Sequence, residues 1–303
     1  MKAIVQETYG SPDVLDLRDI DQPVAKGDEV LVRVGAAGVD PGVWHLMTGL
    51  PYMVRIMGYG LRKPKARVRG MDVAGRVEAV GANVTQLRQG DEVFGTCNGS
   101  FAEYACARED KVAPKPANLT YEEAAAVPIS GCTALQALRG KGKVQAGQKV
   151  LIIGAAGGVG TFAVQLAKAF EAEVTGVCSS TKVDLVRSIG ADHVIDYTRD
   201  DFAENGQRYD LILDTAGNRS LSHLRRALVP RGTLVIVGGE GGGRWLGGFQ
   251  RQILWAPMLS LFVGQKLRPL GHRQDVSVER GPRGHHVSRR GTRPREGRHH
   301  GVR

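Results

Sequence analysis

A glycine-rich turn between two repeating patterns constrains the fold of this chain most. The apolar run at residues 150–153 ends in residues 154–160 (GAAGGVG), and a helix-period segment follows at residues 161–170. A second apolar run comes at residues 174–178. Strand, glycine turn, helix and strand in this order bind dinucleotides, because glycine lets the backbone approach a diphosphate closely. The sequence therefore predicts a dinucleotide site in the middle of the chain.

The turn matches the pattern Gly-x-Gly-x-x-Gly, except that alanine occupies the first glycine position. The free N–H groups and the positive dipole end of the following helix are expected to hold the diphosphate. The predicted cofactor contacts in this segment are Ala155, Gly157, Gly158, Val159 and Gly160. A tight strand-to-helix turn without a ligand is the alternative, and the flanking strands and helix favour the cofactor.

Size and composition indicate the class of protein. A chain of 303 residues, 42% of them hydrophobic, is expected to form about two packed domains. Polar residues break the first apolar run close to the N-terminus, so no signal peptide is expected. The longest apolar stretch, residues 253–263, is too short to cross a bilayer. The four cysteines are scattered without a close pair, which is typical of a reducing compartment. We expect a cytoplasmic protein that acts on a small-molecule substrate and has no membrane partner.

Two periodicities divide the chain. Short strands with frequent glycines fill the first part and predict a small barrel or sandwich. Thr120 and Glu123 form a capping-box signature, which predicts the start of a helix. From Lys149 onward the predicted strands alternate with helices near residues 158–170, 181–189 and 219–228. This alternation predicts an α/β fold with a parallel sheet covered on both faces.

Several short segments follow one another in a specific order. They are residues 36–41 (AAGVDP), 70–75 (GMDVAG), 90–93 (GDEV), 124–128 (AAAVP), 131–134 (GCTA), the glycine turn and 190–192 (GAD). On these residues the chain resembles the zinc-independent quinone oxidoreductase branch of the medium-chain dehydrogenase/reductase superfamily. The resemblance implies a GroES-like β-barrel catalytic domain at residues 1–125 and a Rossmann domain with a doubly wound parallel sheet at residues 126–270. It also implies an NAD(P)H-dependent hydride transfer to a quinone or an α,β-unsaturated carbonyl in the cleft between them.

The residues argue against a metal site. Zinc-dependent relatives have a catalytic cysteine where this chain has Asp40, and Gly-His-Glu at residues 70–72. The four-cysteine lobe of those relatives is absent from residues 93–114, which leaves His45 and Cys97 as isolated donors. A catalytic zinc needs three protein ligands, so no metal is expected. Without a Lewis acid on an alcohol oxygen, reduction of an activated C=C bond or a quinone is favoured; zinc-free alcohol dehydrogenation is the alternative.

The end of the second Rossmann strand indicates which nicotinamide coenzyme binds. An NAD site carries Asp or Glu about 20 residues past the glycine turn, on the ribose 2′-OH. Here the second strand ends in residues 177–182 (VCSSTK) with no acid before Asp184, and these hydroxyl groups with a cation suit a 2′-phosphate. The resemblance adds a lysine and a tyrosine as phosphate contacts. We therefore predict NADPH, with NADH less favoured, bound by Ser179, Ser180, Lys182 and Tyr197; helix capping is an alternative or additional role of the hydroxyls.

The resemblance also places residues near the nicotinamide ring. Asp40 stands where the family commonly has asparagine, and Thr133 where a family threonine meets the nicotinamide. Further contacts are expected where Rossmann strands end, at Asn218, Val237, Gly238 and Gly239. Asp40 serves as an acid only if burial raises its pKa, and a structural Asp-Pro-Gly turn is the alternative.

The last 33 residues differ from the rest of the chain. Residues 271–303 hold nine arginines, three acidic residues and five of the eight histidines, and we expect a disordered basic tail. Family members instead return to the catalytic barrel with a helix and valine-rich strands. Our hypothesis is a frameshift near residue 270 that truncates the chain and leaves the barrel without its C-terminal closure.

Three alternatives stay open for this end of the chain. The first is an inactive truncated product. The second is a polyanion binder that acts through the arginines and histidines, although a nucleic-acid partner is not expected because no aromatic residues interleave them. The third is an edge strand at residues 258–270 that pairs in a homodimer.

Overall fold

Short antiparallel strands build the first domain of the part that the structure describes, which in this computed structural model comprises residues 1–238, 243–245, 255–260 and 262–270. They are β1 (Lys2–Gln6), β2 (Leu15–Asp19), β3 (Glu29–Gly38), β4 (Asp72–Val80), β5 (Glu92–Thr96), β6 (Tyr104–Arg108) and β7 (Val112–Pro114). β1 pairs with β2, and the others form a sheet in the order β6-β3-β4-β5-β7. Alternating valines such as Val30, Val32 and Val77 pack in the core of this domain.

Helices lie at the edges of this domain and lead out of it. They are α1 (Pro41–Thr48), α2 (Tyr121–Ala125) and α3 (Pro128–Leu135). α2 begins at the predicted capping box, which is confirmed: Thr120 Oγ1 accepts the Glu123 N–H at 3.2 Å, and the Glu123 carboxylate accepts the Thr120 N–H at 2.8 Å. Short 3-10 or π turns lie at Pro12–Val14, Arg55–Tyr59, Glu109–Lys111, Gln136–Gly142 and Ser180–Lys182.

A parallel sheet forms the second domain. Its strands are β8 (Lys149–Ile153), β9 (Glu173–Cys178), β10 (His193–Asp196), β11 (Tyr209–Asp214), β12 (Leu228–Ile236) and β13 (Lys266–Pro269), and its helices include α4 (Gly158–Ala169), α5 (Val183–Ser188) and α6 (Leu221–Arg226). The strand order is β10-β9-β8-β11-β12-β13, which is the Rossmann order. The order reverses between β8 and β11, so a crevice opens at their carboxyl ends.

The apolar strands of this sheet are buried on both faces, as the sequence predicts. Val150 and Ile152 of β8 pack in one core with the helix α4 residue Val164. Leu151 and Ile153 point to the opposite face and join a second core with α6. Because successive strand residues alternate between faces, one apolar run supplies both cores.

The predicted strand at residues 258–270 is wrong in its first part. Residues 255–260 are helical, and only β13 is extended, at the edge of the sheet. Ala256 and Leu259 explain the helix, since both pack on the second core at a helical spacing of three residues. A homodimer through this edge stays a prediction. Gly239 and residues 271–303, the predicted tail, lie outside the described residues.

The predicted domain boundary after residue 125 falls between two short helices. α2 packs on β3 and β4 of the first domain, and α3 packs on α4 of the second. Within the described ranges, no helix is long and apolar enough to span a membrane.

Gly160 lets α4 pack directly on the end of β8. A Cβ at this position would lie 2.0 Å from the Gly154 carbonyl oxygen and 2.8 Å from the Ala155 Cα. We expect Gly160→Ala to lower the free energy of unfolding by about 3 kcal/mol, because overpacking forces helix and strand apart. Urea unfolding measures the loss. Gly140→Ala is the control, since its Cβ meets nothing within 4 Å; an equal loss in both variants would contradict the packing argument.

Candidate active site

A cavity of about 310 Å³ lies at the carboxyl ends of β8, β9 and β11. It occupies the point where the strand order reverses, which is where open α/β sheets bind their ligands. Four of the predicted cofactor contacts line it: Gly157, Ser179, Tyr197 and Asn218. Its volume is at the lower end of the range for small-molecule sites, about 300–1,000 Å³.

The glycine turn forms one wall of this cavity. Gly154 makes the turn with φ of 81°, in the left-handed region that favours glycine, so alanine at the next position is tolerated. Gly157 is the N-cap of α4 and has no side chain to cap it. The first N–H groups of a helix have no intrahelical partner. The N–H groups of Gly158 and Val159 are therefore left for a ligand.

Two of the predicted contacts in the turn serve packing instead. Ala155 is fully buried, and its N–H donates to the Val177 carbonyl oxygen at 3.0 Å. Neither its side chain nor its N–H faces the cavity, which corrects the expectation for this residue. Gly160 is also buried and holds α4 against β8. Both shape the turn, and a coenzyme contact through the N–H of Gly160, in the first turn of α4, stays a prediction.

The predicted ribose and phosphate contacts divide into two groups. Ser179 and Tyr197 line the cavity, whereas Ser180 and Lys182 are exposed beside it. The capping alternative is not observed, because Ser179 is the N-cap of the short turn at Ser180–Lys182 but its hydroxyl makes no capping hydrogen bond. The Ser179 hydroxyl therefore does not cap this turn.

Asp196 is a functional candidate that the sequence analysis missed. It ends β10, and the parallel register with β9 places it opposite Cys178. The Ser180 hydroxyl donates to Asp196 Oδ2 at 2.5 Å, and this bond is the main reason why the pKa of Asp196 is lowered. A search along β9 alone cannot find it, because the acid comes from the neighbouring strand.

A buried carboxylate shapes the turn after β11. Asp214 Oδ1 accepts the N–H groups of Gly217 at 2.9 Å and Ala216 at 3.2 Å, and this turn presents Asn218 to the cavity. Burial raises the pKa of Asp214 to about 6. The Val237 N–H donates to the Asp214 carbonyl oxygen at 2.9 Å. Val237 and its neighbour Gly238 are half-buried at the end of β12.

Asp40 caps a helix. Its Oδ1 accepts the Gly42 N–H at 2.5 Å, and Pro41 occupies the first helical position of α1. The structural turn proposed for Asp-Pro-Gly is thus a helix N-terminus, which an aspartate before a proline favours. The other oxygen, Oδ2, is buried and has no hydrogen-bond partner among the described residues. Burial raises the pKa of Asp40.

Asp72 joins the two domains. This residue of β4 is 3% exposed, and its Oδ1 accepts the Ile129 N–H of α3 at 2.9 Å. Burial, with a smaller contribution from the charge of Asp40, raises the pKa of Asp72 to about 7. The sequence analysis used Asp72 only to argue against zinc. Its burial, which no local pattern shows, makes it a titrating group near neutral pH.

Helix α3 lies close to the glycine turn. A Cβ on Gly158 would be 3.0 Å from Ser130 Oγ, so this hydroxyl stands at the start of α4. Thr133 is one turn further along α3 and half-buried, and residues three apart lie on the same side of a helix. Ser130 is a second residue that the sequence analysis missed.

The donors present do not fit a catalytic zinc. Nowhere in the described ranges do three His, Cys, Asp or Glu side chains lie close enough together to hold a metal ion. Asp40 and Asp72 each accept a backbone N–H. Cys97, one of the two isolated donors, has a pKa that burial raises to about 12.

Comparisons with known proteins identify the family. Residues 26–117 match the alcohol dehydrogenase GroES-like domain, and residues 158–254 match the domain described as zinc-binding dehydrogenase. The chain is 36% identical over 253 residues to quinone oxidoreductase of Sus scrofa, which covers 80% of this chain and 74% of that protein. It is 38% identical over 231 residues to 2-methylene-furan-3-one reductase of Solanum lycopersicum, covering 72% of this chain but 57% of that protein.

A solved structure supports the same assignment. The mycobacterial protein complexed with NADPH superimposes with a TM-score of 0.74 at 29% identity, over 89% of this chain and 82% of that one. The chain belongs to the quinone oxidoreductase-like branch of the medium-chain dehydrogenase/reductase superfamily, a family of oxidoreductase enzymes. The predicted GroES-like and Rossmann domains are confirmed.

The raised pKa of Asp72 makes stability depend on pH. The folded protein keeps this proton up to about pH 7, whereas the unfolded chain releases it near pH 3.8, so folding becomes less favourable as the pH rises between these values. Asp72→Asn keeps an acceptor for the Ile129 N–H but cannot ionise. We therefore expect the stability of the variant relative to the wild type, measured as the difference in their free energies of unfolding, to be about 3 kcal/mol larger at pH 8 than at pH 5.

Urea unfolding of both proteins at the two pH values measures this difference. Asp200→Asn, which removes an exposed carboxylate, is the control. If both variants change the pH dependence of the free energy of unfolding equally, the Asp72 carboxyl is not the source of that dependence.

Proposed function

We propose that this chain is an NADPH-dependent oxidoreductase that reduces a quinone or an α,β-unsaturated carbonyl without zinc. The observation that supports it is the cavity at the strand-order reversal, bordered by the glycine turn. Two similar proteins are named for a quinone and for an enone, 2-methylene-furan-3-one, and another is complexed with NADPH.

The diphosphate of the coenzyme would bind at the start of α4. The N–H groups of Gly158 and Val159 point from a helix N-terminus, whose dipole favours negative charge. Ser130 Oγ stands beside Gly158 and supplies a hydroxyl donor. Tyr197 and the exposed Lys182 hold the adenosine end, and Asn218 faces the cavity from the β11 side. The coenzyme supplies the hydride when it is bound.

The substrate oxygen would lie near Asp40. Reduction of an activated C=C bond adds hydride to one carbon and a proton to the other, while negative charge develops on the carbonyl oxygen. Asp40 Oδ2 is proposed to meet that charge, because it is a buried polar atom without a hydrogen-bond partner among the described residues, whereas Oδ1 accepts the Gly42 N–H. In its protonated form it donates a hydrogen bond to the oxygen. Thr133, on α3, is proposed on the nicotinamide side.

Turnover of a panel of quinones and enones with NADPH tests the function. Gly157→Asp is the matched inactive variant: an aspartate N-cap stabilises α4, but it occupies the N–H groups and repels the diphosphate. The φ of Gly157 is −81°, which aspartate adopts readily, and a small shift relieves the contact of 3.3 Å between its Cβ and the Gly154 carbonyl oxygen. We expect NADPH affinity, measured by calorimetry, to fall at least about tenfold while the melting temperature holds or rises.

Gly157→Asn is the neutral control, because it caps the helix without adding charge. It should lose less affinity than Gly157→Asp. Unchanged binding in both variants would remove the glycine turn from the coenzyme site, and absence of turnover across the panel would overturn the proposed reaction.

The role of Asp40 predicts a pH effect on activity. The protonated carboxyl is the hydrogen-bond donor, so kcat should fall as the pH rises through the raised pKa of Asp40. Asp40→Asn donates through its amide at every pH and keeps the Gly42 cap. We expect the variant to turn over with a flat profile in this range. Asp72 lies close enough for its charge and that of Asp40 to interact, and a profile that persists in Asp40→Asn would show that Asp40 is not its source.

A further inference from the structure

An acid lies at the ribose end of the coenzyme cavity, on the third strand instead of the second. Dinucleotide folds place the ribose 2′ position at the end of the second strand, which here is β9. Cys178 and Ser179 at that end line the cavity, and so does Tyr197 after β10. Asp196 lies opposite Cys178 in the parallel register and directly precedes Tyr197. Asp196 does not itself line the cavity, but it is adjacent to two residues that do, Cys178 across the strand pair and Tyr197 along the chain, at the end where the ribose is expected.

Two hydroxyl groups are committed to this carboxylate. Ser180 Oγ donates to Oδ2 at 2.5 Å, and Thr198 Oγ1 donates to Oδ1 at 2.8 Å. The Thr198 N–H donates to Oδ1 as well, at 3.0 Å. These bonds lower the pKa of Asp196, so the carboxylate is charged at neutral pH.

The direction of these hydrogen bonds decides which ligand group they suit. A serine or threonine hydroxyl has one proton to donate and two lone pairs. The two hydroxyl oxygens also lie 3.1 Å apart. With both protons donated to the charged carboxylate of Asp196, these oxygens can only accept from a ligand. A ribose 2′-OH can donate to such an oxygen, whereas a phosphate dianion has only acceptor atoms and also meets the negative charge of the carboxylate.

Nearby cations have the opposite effect and favour a 2′-phosphate. Arg199 Nε lies 3.8 Å from Asp196 Oδ2, but the arginine side chain is 79% exposed and its effect is screened by solvent. Lys182 is exposed two residues after Ser180, and Arg219 lines the cavity. These cations attract a 2′-phosphate, so the carboxylate of Asp196 is the group that opposes it.

We propose that Asp196 is a specificity-determining residue that lowers the selectivity for NADPH and lets the chain use NADH as well. The inference rests on the proposed function. Asp196 positions the acceptors that hold the 2′-OH of NADH, and it repels the extra phosphate of NADPH. Lys182 and Tyr197 favour the 2′-phosphate of NADPH. The balance between these residues and Asp196 sets the ratio of the affinities for NADPH and NADH.

The test measures binding of adenosine 2′,5′-bisphosphate, adenosine 5′-monophosphate, NADPH and NADH by calorimetry. Asp196→Asn removes the charge, keeps an acceptor for the Thr198 N–H and keeps the side-chain size. We expect its preference for the 2′-phosphorylated ligands to rise about tenfold over the wild type, mainly through tighter binding of those ligands. Melting temperatures confirm that the compared proteins are folded.

Asp184→Asn is the matched control, because it removes an exposed carboxylate in α5, four residues after Ser180, and the described residues show no hydrogen bond between Asp184 and Ser180. It should leave the preference within about twofold of the wild type. Ser180→Ala is a second variant at an exposed position; the carboxylate loses its donor and faces the phosphate directly, so the preference should fall.

The outcomes separate this inference from the proposed function. Wild-type binding of NADPH with an unchanged preference in Asp196→Asn overturns the role of Asp196 and leaves the function standing. An equal rise in Asp184→Asn also overturns it, because a general field would then explain the effect. If neither coenzyme binds the wild type, the proposed function and this inference both fail.

Discussion

The contact between α4 and the end of β8 is the constraint on which the coenzyme site depends. Gly154 turns the chain in a left-handed conformation, and Gly160 brings the helix against the Gly154 carbonyl without a Cβ between them. This contact aims the first N–H groups of α4 at the crevice between β8 and β11. The ends of β9 and β11 then supply the remaining walls, because the parallel register holds them level with β8.

Carboxyl groups at this site differ in charge because their surroundings differ. Asp72 and Asp214 are almost fully buried, and burial raises the pKa of each toward neutrality. Asp196 is half-buried and accepts hydroxyl donors, so its pKa is lowered. The same residue type thus keeps a proton in one place and a negative charge in another. Position in the fold, not sequence context, assigns these roles.

The glycine turn, the capping box and the alternation of strands and helices could all be predicted from the sequence, because each is a local pattern. The helix after Asp40 could also have been predicted from the local sequence, because aspartate before proline is typical of a helix start. Asp196 and Ser130 could not be found in this way. Ser130 comes from α3, which packs against the start of α4, and Asp196 comes from β10, which pairs with β9; only the packing of helices and the strand register bring them to the cavity region.

Helix α3 has one further consequence. Its Ile129 N–H is bonded to the barrel residue Asp72, and the next residue, Ser130, stands against the start of α4. One short rigid element therefore touches both halves of the molecule. A ligand in the first domain that shifts α3 would change the binding free energy of a ligand at the diphosphate position. By linkage, a ligand at the diphosphate position would change the binding free energy in the first domain equally. A ligand on one side of the cleft would then change the equilibrium affinity on the other side by the same factor in both directions.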